Sequence, residues 1–490
     1  MADISEVKQR DWLRRIAYDA MNELGLATQF SSAVMTELQK IKGPAVGNTA
    51  AVRDLTELLW CSIDNDSSLD LDQLTTAISL PAGEVKILVA IANVDAIAGK
   101  ASAIDSFAFQ NTLSVYTPAV IFPMLPERLS NDLTSLNFNS DRLAVIIEMT
   151  FKGDGSLLTS DIYQAKVRNK AKLAYNSLAA WLDGENAIPD EVKQIKGLDE
   201  NIKIQSITAQ KMKALRHAQG ALHLTTLQTH PIFLGDDIKG LELDTQNTAK
   251  DIIEDFMIAS NGVTARFLEA HNFPSIRRVV HTPKRWDRIV VVAAEKNFEL
   301  PQTPDAKSLE SFLVLQKKTF PEQFPDLSLS IIKLLGPGEY ALEVPGSTTE
   351  GHFGLAVRDY SHSTAPNRRY PDLITQRLLK TLIEGKTIPY TNAELEAIAK
   401  HCTERENDAK KVERRLEKSA AALLLSSQIG QEFDALVTGA SDKGTYVRIF
   451  QPPVEGRLDG GLIGLDVGQK VRVKLVSVNV EKGFVDFDKV

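Results

Sequence analysis

Cysteine is almost absent: Cys61 and Cys402 are the only two in 490 residues. Two isolated thiols argue against a disulfide framework and fit a reducing cytoplasm, with both read as buried side chains. Long hydrophobic runs are missing too. No apolar stretch approaches the roughly 20 residues that a spanning helix needs, so no membrane contact is expected. Residues 1–6 lack the basic-then-apolar pattern of a secretory signal. There is no excess of positive charge either, since 56 Lys and Arg against 64 Asp and Glu leave a formal charge of −8. That balance argues against non-specific adhesion to duplexes but leaves room for a narrow basic channel, because phosphate recognition depends on local patches. Internal repeats and low-complexity segments are not found. The remainder is ordinary for a globular protein, with 43% hydrophobic and 24% charged residues and length enough for two or three domains.

What is present is an unusual crowding of acids. Asp64, Asp66, Asp70 and Asp72 fall within nine residues, just after an apolar, strand-like run. Carboxylates so close repel one another unless a cation sits among them, and hard oxygen donors suit Mg²⁺, with Mn²⁺ as the alternative. Asp70 and Asp72 share one face of an extended segment, with Leu71 turned inward, and the loop 65–69 folds Asp64 back toward them. Such a set can hold one or two ions about 3.5–4 Å apart. A calcium loop beginning at Asp64 would need Gly and Glu where Leu69 and Thr75 stand. A solvated acidic turn is the plainer reading. The alternation of the acids with Ile63, Leu69, Leu71 and Leu74 counts against it, because it ties them to buried structure.

Residues 8–41 read as two amphipathic helices, carrying Trp12, Ile16, Ala20, Met21 and Leu24, then Phe30, Val34, Leu38 and Ile41, at helical spacing. Gly43-Pro44 and Gly47-Asn48 close this unit. Residues 85–92, apolar but for Lys86, and 143–151, turned at Gly153-Asp154-Gly155, read as strands. Helices are expected to dominate 170–275, with Ile252, Phe256 and Ala259 on one face, and to fill 372–385 and 392–428. In the last, Arg405, Glu406, Lys410, Lys411, Glu413, Arg414, Arg415, Glu417 and Lys418 mix both signs, and a solvated face with i,i+4 pairs is preferred over an RNA-contacting one. Five short strand-like stretches at 433–437, 446–449, 454–458, 471–478 and 484–487 fit an OB-type barrel. Lys166, Arg168, Lys170 and Lys172 recur every second residue, and Arg277, Arg278, Lys284, Arg285 and Arg288 surround Trp286. Either group lines an RNA channel or serves solubility. His352 and His362 have no metal-ligand spacing and read as packing residues.

Further motifs follow the acids in order: Ser114-Val115-Tyr116, Phe122-Pro123-Met124-Leu125-Pro126-Glu127-Arg128-Leu129-Ser130, Ser135-Leu136, Asp141-Arg142-Leu143-Ala144, His352-Phe353-Gly354-Leu355, and Thr364-Ala365-Pro366-Asn367-Arg368-Arg369-Tyr370-Pro371-Asp372-Leu373. In order and type, this set resembles the catalytic domain of the ribonuclease II and ribonuclease R family over roughly residues 51–430. The resemblance implies an α+β fold, an RNB-type catalytic domain with mixed sheets and surrounding helices, followed at 431–490 by a small OB-type RNA-binding β-barrel. Residues 1–50 form a helical unit of helix-turn-helix character, where the family usually carries two cold-shock barrels. Weaker, more salt-sensitive grip on long RNA is therefore expected.

The resemblance further implies a Mg²⁺-dependent, processive 3′→5′ exoribonuclease that takes single-stranded RNA and releases nucleoside 5′-monophosphates. No stable protein partner is inferred. By the same resemblance Asp64, Asp70 and Asp72 match three of four metal-binding aspartates, and the fourth position holds Gln73, whose amide oxygen carries no charge. Asp66 is a candidate substitute if its loop bends inward. Asp72 is implied to act on the reacting phosphate and Arg368 to clamp it. Tyr116 and Tyr175 match tyrosines that meet nucleotides near the 3′ end, Glu254 a ribose contact, and Arg369 either a structural group or a phosphate contact. Two other readings stay open: a catalytically weakened or inactive RNA-binding protein on the same fold, and a phosphodiesterase for very short oligonucleotides.

Overall fold

The apolar stretch Val85–Ala92 forms strand β4, a central member of a seven-stranded mixed sheet. The computed structural model describes residues 8–47, 52–347, 351–441, 444–459, 465 and 468–490. Residues 1–6 and Asn48, used in the sequence reading, lie outside them. The sheet runs in the order β1-β8-β7-β4-β3-β2-β9. Its strands are β1 (Arg53–Asp54), β2 (Cys61–Asp64), β3 (Gln73–Ser79), β4, β7 (Asp141–Phe151), β8 (Leu157–Arg168) and β9 (Ala171–Ala174). The inner pairs are antiparallel, while β1 on β8 and β2 on β9 are parallel. A small hairpin, β5 (Val115–Tyr116) with β6 (Ile121–Phe122), stands apart from it.

Helices surround the sheet. These are α1 (Gln9–Glu23), α2 (Ser32–Lys40), α3 (Ala103–Asn111), α4 (Tyr175–Leu182), α5 (Asp190–Lys193), α6 (Leu198–Ala218), α7 (Thr248–Ala270), α8 (Trp286–Glu295), α9 (Ala306–Thr319), α10 (Phe324–Leu335), α11 (Tyr370–Ile383) and α12 (Asn392–Leu425). Ile252 and Phe256 of α7, and Leu373, Ile374 and Leu378 of α11, bury their apolar stripes in the same core as the sheet. A second core joins α1, α12 and the C-terminal barrel, and a third holds α8, α9 and α10 together. The barrel is closed, in the order β14 (Glu432–Ser441), β15 (Gly444–Ile449), β16 (Glu455–Asp459), β18 (Phe484–Lys489), β17 (Lys470–Asn479), which fits an OB-type topology. Among the described residues no helix is long and apolar enough to cross a membrane.

Several expectations need correction. Helices α4, α5, α6 and α7 dominate 170–275 as expected, but they do not fill it. It opens with β9 and contains the antiparallel hairpin β10 (Thr229–Leu234) and β11 (Asp237–Leu243), turned at Gly235, whose φ is +65°. Of the two N-terminal helices, α1 sends Leu13 and Ile16 into the core of the barrel side, and α2 sends Val34 and Leu38 into that of the sheet. Part of each basic group is paired within the fold, whereas Lys284, Arg285 and Arg288 stand exposed. Lys166 lies 2.9 Å from Asp54, and Arg168 donates to Asp141 at 2.6 Å. Arg277 and Arg278 lie inside β12 (Ser275–Val279), paired with β13 (Glu339–Glu343), at 2% and 8% exposure. Arg277 meets Glu343 at 3.2 Å, Arg278 grips Glu406 of α12 through two hydrogen bonds of 2.7 and 2.8 Å, and Trp286 is buried. Charged groups so buried persist because they are paired. On α12, Lys410–Glu406 follows the expected i,i+4 spacing, but Arg415 reaches Glu23 of α1. His352 and His362 are packing residues, His362 meeting the Tyr340 hydroxyl at 2.9 Å.

Candidate active site

The acidic segment enters the core and leaves it again, and this sets where each carboxylate lies. Ile63 is fully buried in β2, so Asp64 at the strand end faces the cleft, half-buried. Beyond the loop, Leu71 and Leu74 are 2% and 1% exposed and anchor the returning chain. Leu69 is not an anchor as the alternation suggested, being 58% exposed. Ser135 holds the return: its hydroxyl accepts from Leu71 N at 3.0 Å and donates to Leu69 O at 2.7 Å, while Leu136 N donates to Leu71 O at 3.0 Å.

Asp64, Asp70, Asp72 and Gln73 all line one cavity of about 280 Å³, together with Tyr116, Tyr175 and Arg368. Tyr116 is delivered by β5, whose neighbour Ser114 donates its N–H to Arg368 O at 2.9 Å. The Tyr116 hydroxyl donates to Asp70 at 2.9 Å. Asp72 Oδ1 accepts the Asn367 N–H at 2.9 Å, and its Oδ2 lies 3.4 Å from Arg368 Nε, too poorly placed to count as hydrogen-bonded. Tyr175 opens α4 directly after β9, and α7 contributes Ile253 and Met257 to the wall.

The electrostatics are those of a desolvated acidic pit. Burial lifts the Asp72 carboxyl to about 8, against the pull of Arg368, and lifts Asp64 as well. Burial likewise raises the Tyr116 and Tyr175 phenols, with Asp70 adding to the first and Asp64 to the second. Asp72 Oδ2 is a buried oxygen without a hydrogen-bond donor, on a cavity that Asp64, Asp70 and Gln73 also line. This hard-oxygen set fits a divalent cation of the Mg²⁺ type. The three acids surround the cavity rather than closing on a point, since their oxygens do not all fall within 4.8 Å of one another.

Three expected residues are not brought in. Asp66 is exposed and off the cavity wall, with only its backbone oxygen engaged, by Lys172 Nζ at 2.9 Å. Glu254 is exposed on α7 and off the cavity wall, accepting from Gln246 Nε2 at 3.0 Å. Arg369 turns inward to Asp372 at 2.8 Å, so of its two readings the structural one fits the geometry. Conversely, Asn65, Ser68 and Thr364 line the cavity without having been singled out, and Ser68 donates to Asp64 at 3.0 Å. Thr364 stood at the head of a motif that the sequence did display; Ser68 gave no signal of its own.

Comparison with known proteins gives the family and the fold. The family model for the RNB domain matches residues 52–385, and that for the RNase II-type exonuclease C-terminal S1 domain matches residues 431–490. Ribonuclease R 1 of Lactococcus lactis is 27% identical over 505 residues, covering 96% of this chain and 60% of that protein. Ribonuclease R of Aquifex aeolicus is 29% identical over 469 residues, covering 89% of this chain and 64% of that protein. The chain therefore spans less than two thirds of the length of these curated relatives. The solved structure of the apo form of Mycoplasma genitalium RNase R has the same fold, with a TM-score of 0.87 at 23% identity over 98% of this chain and 78% of that one.

Proposed function

The chain belongs to the RNB-domain family, and we propose that it is a Mg²⁺-dependent exoribonuclease that degrades single-stranded RNA from the 3′ end to nucleoside 5′-monophosphates. The observation that carries this reading is the convergence of Asp64, Asp70, Asp72, Arg368 and two tyrosines from distant parts of the chain on one cavity. Asp64, Asp70 and Asp72, with Gln73 beside them, would hold Mg²⁺, which would supply Lewis-acid and water-activating chemistry at the scissile phosphate. Arg368 is the cation of the chain's own, and its planar fork suits the oxygens of a phosphate whose charge grows during displacement. Its side chain is 43% exposed, so it reaches substrate while Asp72 restrains it. Tyr116, 40% exposed, offers a ring to any base, because every base has a π face. A cytoplasmic setting, in keeping with only two cysteines, completes the reading.

The test is incubation of 5′-labelled single-stranded RNA with Mg²⁺ or Mn²⁺, with and without chelator. Stepwise shortening that chelator abolishes is expected, and RNA left intact under every condition overturns the proposal. The second reading, an RNA-binding protein that has lost catalysis, is favoured by one observation: Gln73 places an uncharged amide on the cavity wall. That reading requires intact RNA with binding retained, so the same assay separates the two.

A further inference from the structure

Outside the acidic cleft, two histidines and a buried carboxylate meet where α6 ends against α9. His217 stands in the last turn of α6, His223 on the segment after it, and Glu310 in the second turn of α9. The two rings stack with centroids 5.3 Å apart. One Glu310 oxygen lies 3.1 Å from His217 Nδ1, and the other accepts the His223 backbone N–H at 2.6 Å. Glu310 is only 6% exposed, and one donor atom from each of the three residues lies within 4.8 Å of the others. A cation already attends this group: Lys317 Nζ lies 2.6 Å from His223 Nε2. Lys317 follows Glu310 by two helical turns, which sets both on one face of α9.

Two imidazoles with one carboxylate are a borderline-soft donor set, suited to Zn²⁺ with water in the fourth position, whereas Mg²⁺ and Ca²⁺ favour oxygen alone. We propose that His217, His223 and Glu310 bind one Zn²⁺, which clasps the end of α6 to α9. Tetrahedral bonds of ~2.0–2.1 Å put donor atoms about 3.3 Å apart. The closure from the present spacing needs rotation of the two half-buried rings while Glu310 stays in place. Coordination through His217 Nδ1 replaces its present contact with Ala221 O at 2.8 Å, and the exposed Lys317 ammonium moves into solvent. The junction is already tight. A Cβ on Gly220 would lie 3.0 Å from Lys307 N, and Leu222 is buried among the apolar residues of α8, α9 and α10. The clasp therefore ties that helical lobe to the body carrying the acidic cleft.

The test uses the full chain, titrated with Zn²⁺ against a chromogenic indicator and with Co²⁺ followed by its visible spectrum. The cleft offers carboxylate and amide oxygens, so imidazole ligation in the cobalt spectrum reports the proposed site and not the cleft. The expected result is one metal with nitrogen ligation in the wild type and in Asp72→Asn, and its loss in His217→Gln/His223→Gln. Lys317→Met keeps every ligand and removes the competing ammonium, so it should bind Zn²⁺ about tenfold more tightly. This variant carries the test even if the histidine variant fails to fold. A cobalt spectrum without nitrogen ligation, equal affinity in the histidine variant, or no tightening in Lys317→Met would overturn the proposal.

Discussion

Asp72→Asn should stabilise the metal-free protein while abolishing RNA degradation. Asp72 is 2% exposed, and burial lifts its carboxyl from 3.8 to about 8. An acid raised in the folded state holds its proton more tightly there than in the unfolded chain. Stability is therefore lost as pH rises from the unfolded value toward the folded one. Each pH unit in that window is worth ~1.4 kcal/mol, so from pH 5 to pH 7 this group costs the chelated protein about 3 kcal/mol. Asparagine keeps an oxygen for the Asn367 N–H, now 2.9 Å from Oδ1, and carries no charge. Its amide hydrogens face Arg368 Nε, which offsets part of the gain. A net increase of about 2–3 kcal/mol at pH 7 is expected, shrinking to almost nothing by pH 4. Urea unfolding in EDTA at several pH values, followed by tryptophan fluorescence, reads this directly. Added Mg²⁺ should then reverse the ranking, because only the wild type retains all three acids. A less stable Asn variant at pH 7 in EDTA, or two parallel pH curves, would refute the reasoning.

Three further outcomes follow from the same geometry. Arg368→Lys keeps the charge but loses the planar fork, so single-turnover cleavage should slow by ~10²-fold with RNA affinity little changed; an unaltered cleavage rate would remove Arg368 from the phosphate. Ser135→Ala leaves the buried Leu71 N–H without its 3.0 Å acceptor and should cost ~1–3 kcal/mol in urea unfolding. Calorimetric titration of the same variant should show weaker Mg²⁺ binding, and unchanged binding would mean that the Asp70–Asp72 segment does not depend on this clamp. Gln73→Asp adds a carboxylate to the wall and should tighten Mg²⁺ by about tenfold; weaker or equal binding would show that Gln73 stands off the ion.

The sequence displayed the parts of the fold whose signals are local. The run of apolar residues in β4, the turn after β7 and the five short strands of the barrel each carry their own period and punctuation, and each lies where the pattern put it. The hairpin β10–β11 was missed although Ile232 and Leu234 alternate before a glycine turn, because long helices flank it on both sides. The basic groups misled for a different reason. A row of arginines reads alike whether it faces RNA or a carboxylate from elsewhere, and the partners of Arg277 and Arg278 lie at Glu343 and Glu406, beyond the reach of any local pattern. Glu254 and Arg369 were placed by resemblance, and only the phase of α7 and the pairing with Asp372 show which way they turn.

Bringing Arg368 to the acids is a backbone matter, which is why the motifs around it are so widely spaced. Asn367 donates its N–H to Asp72, Arg368 O receives Ser114 N–H, and Ala365 N–H is held by Asp372 at 2.8 Å. Thr134 donates its hydroxyl to Asn367 Oδ1 at 2.5 Å, beside the Ser135 that fixes Leu71. The segment carrying the cation, the strand carrying Tyr116 and the segment carrying Asp70 and Asp72 thus share one frame of hydrogen bonds, most of them buried. Such a frame ties down the backbone at Arg368, while its side chain, 43% exposed, has room to turn. On the proposed function the guanidinium exchanges Asp72 for an incoming phosphate by side-chain rotation alone. Arg368 is the cation that lines the cavity, while the arginines of β12 and the cations at the end of β8 are bound to carboxylates. The release of the fork from Asp72 therefore costs little, because the 3.4 Å contact between them is poorly aligned.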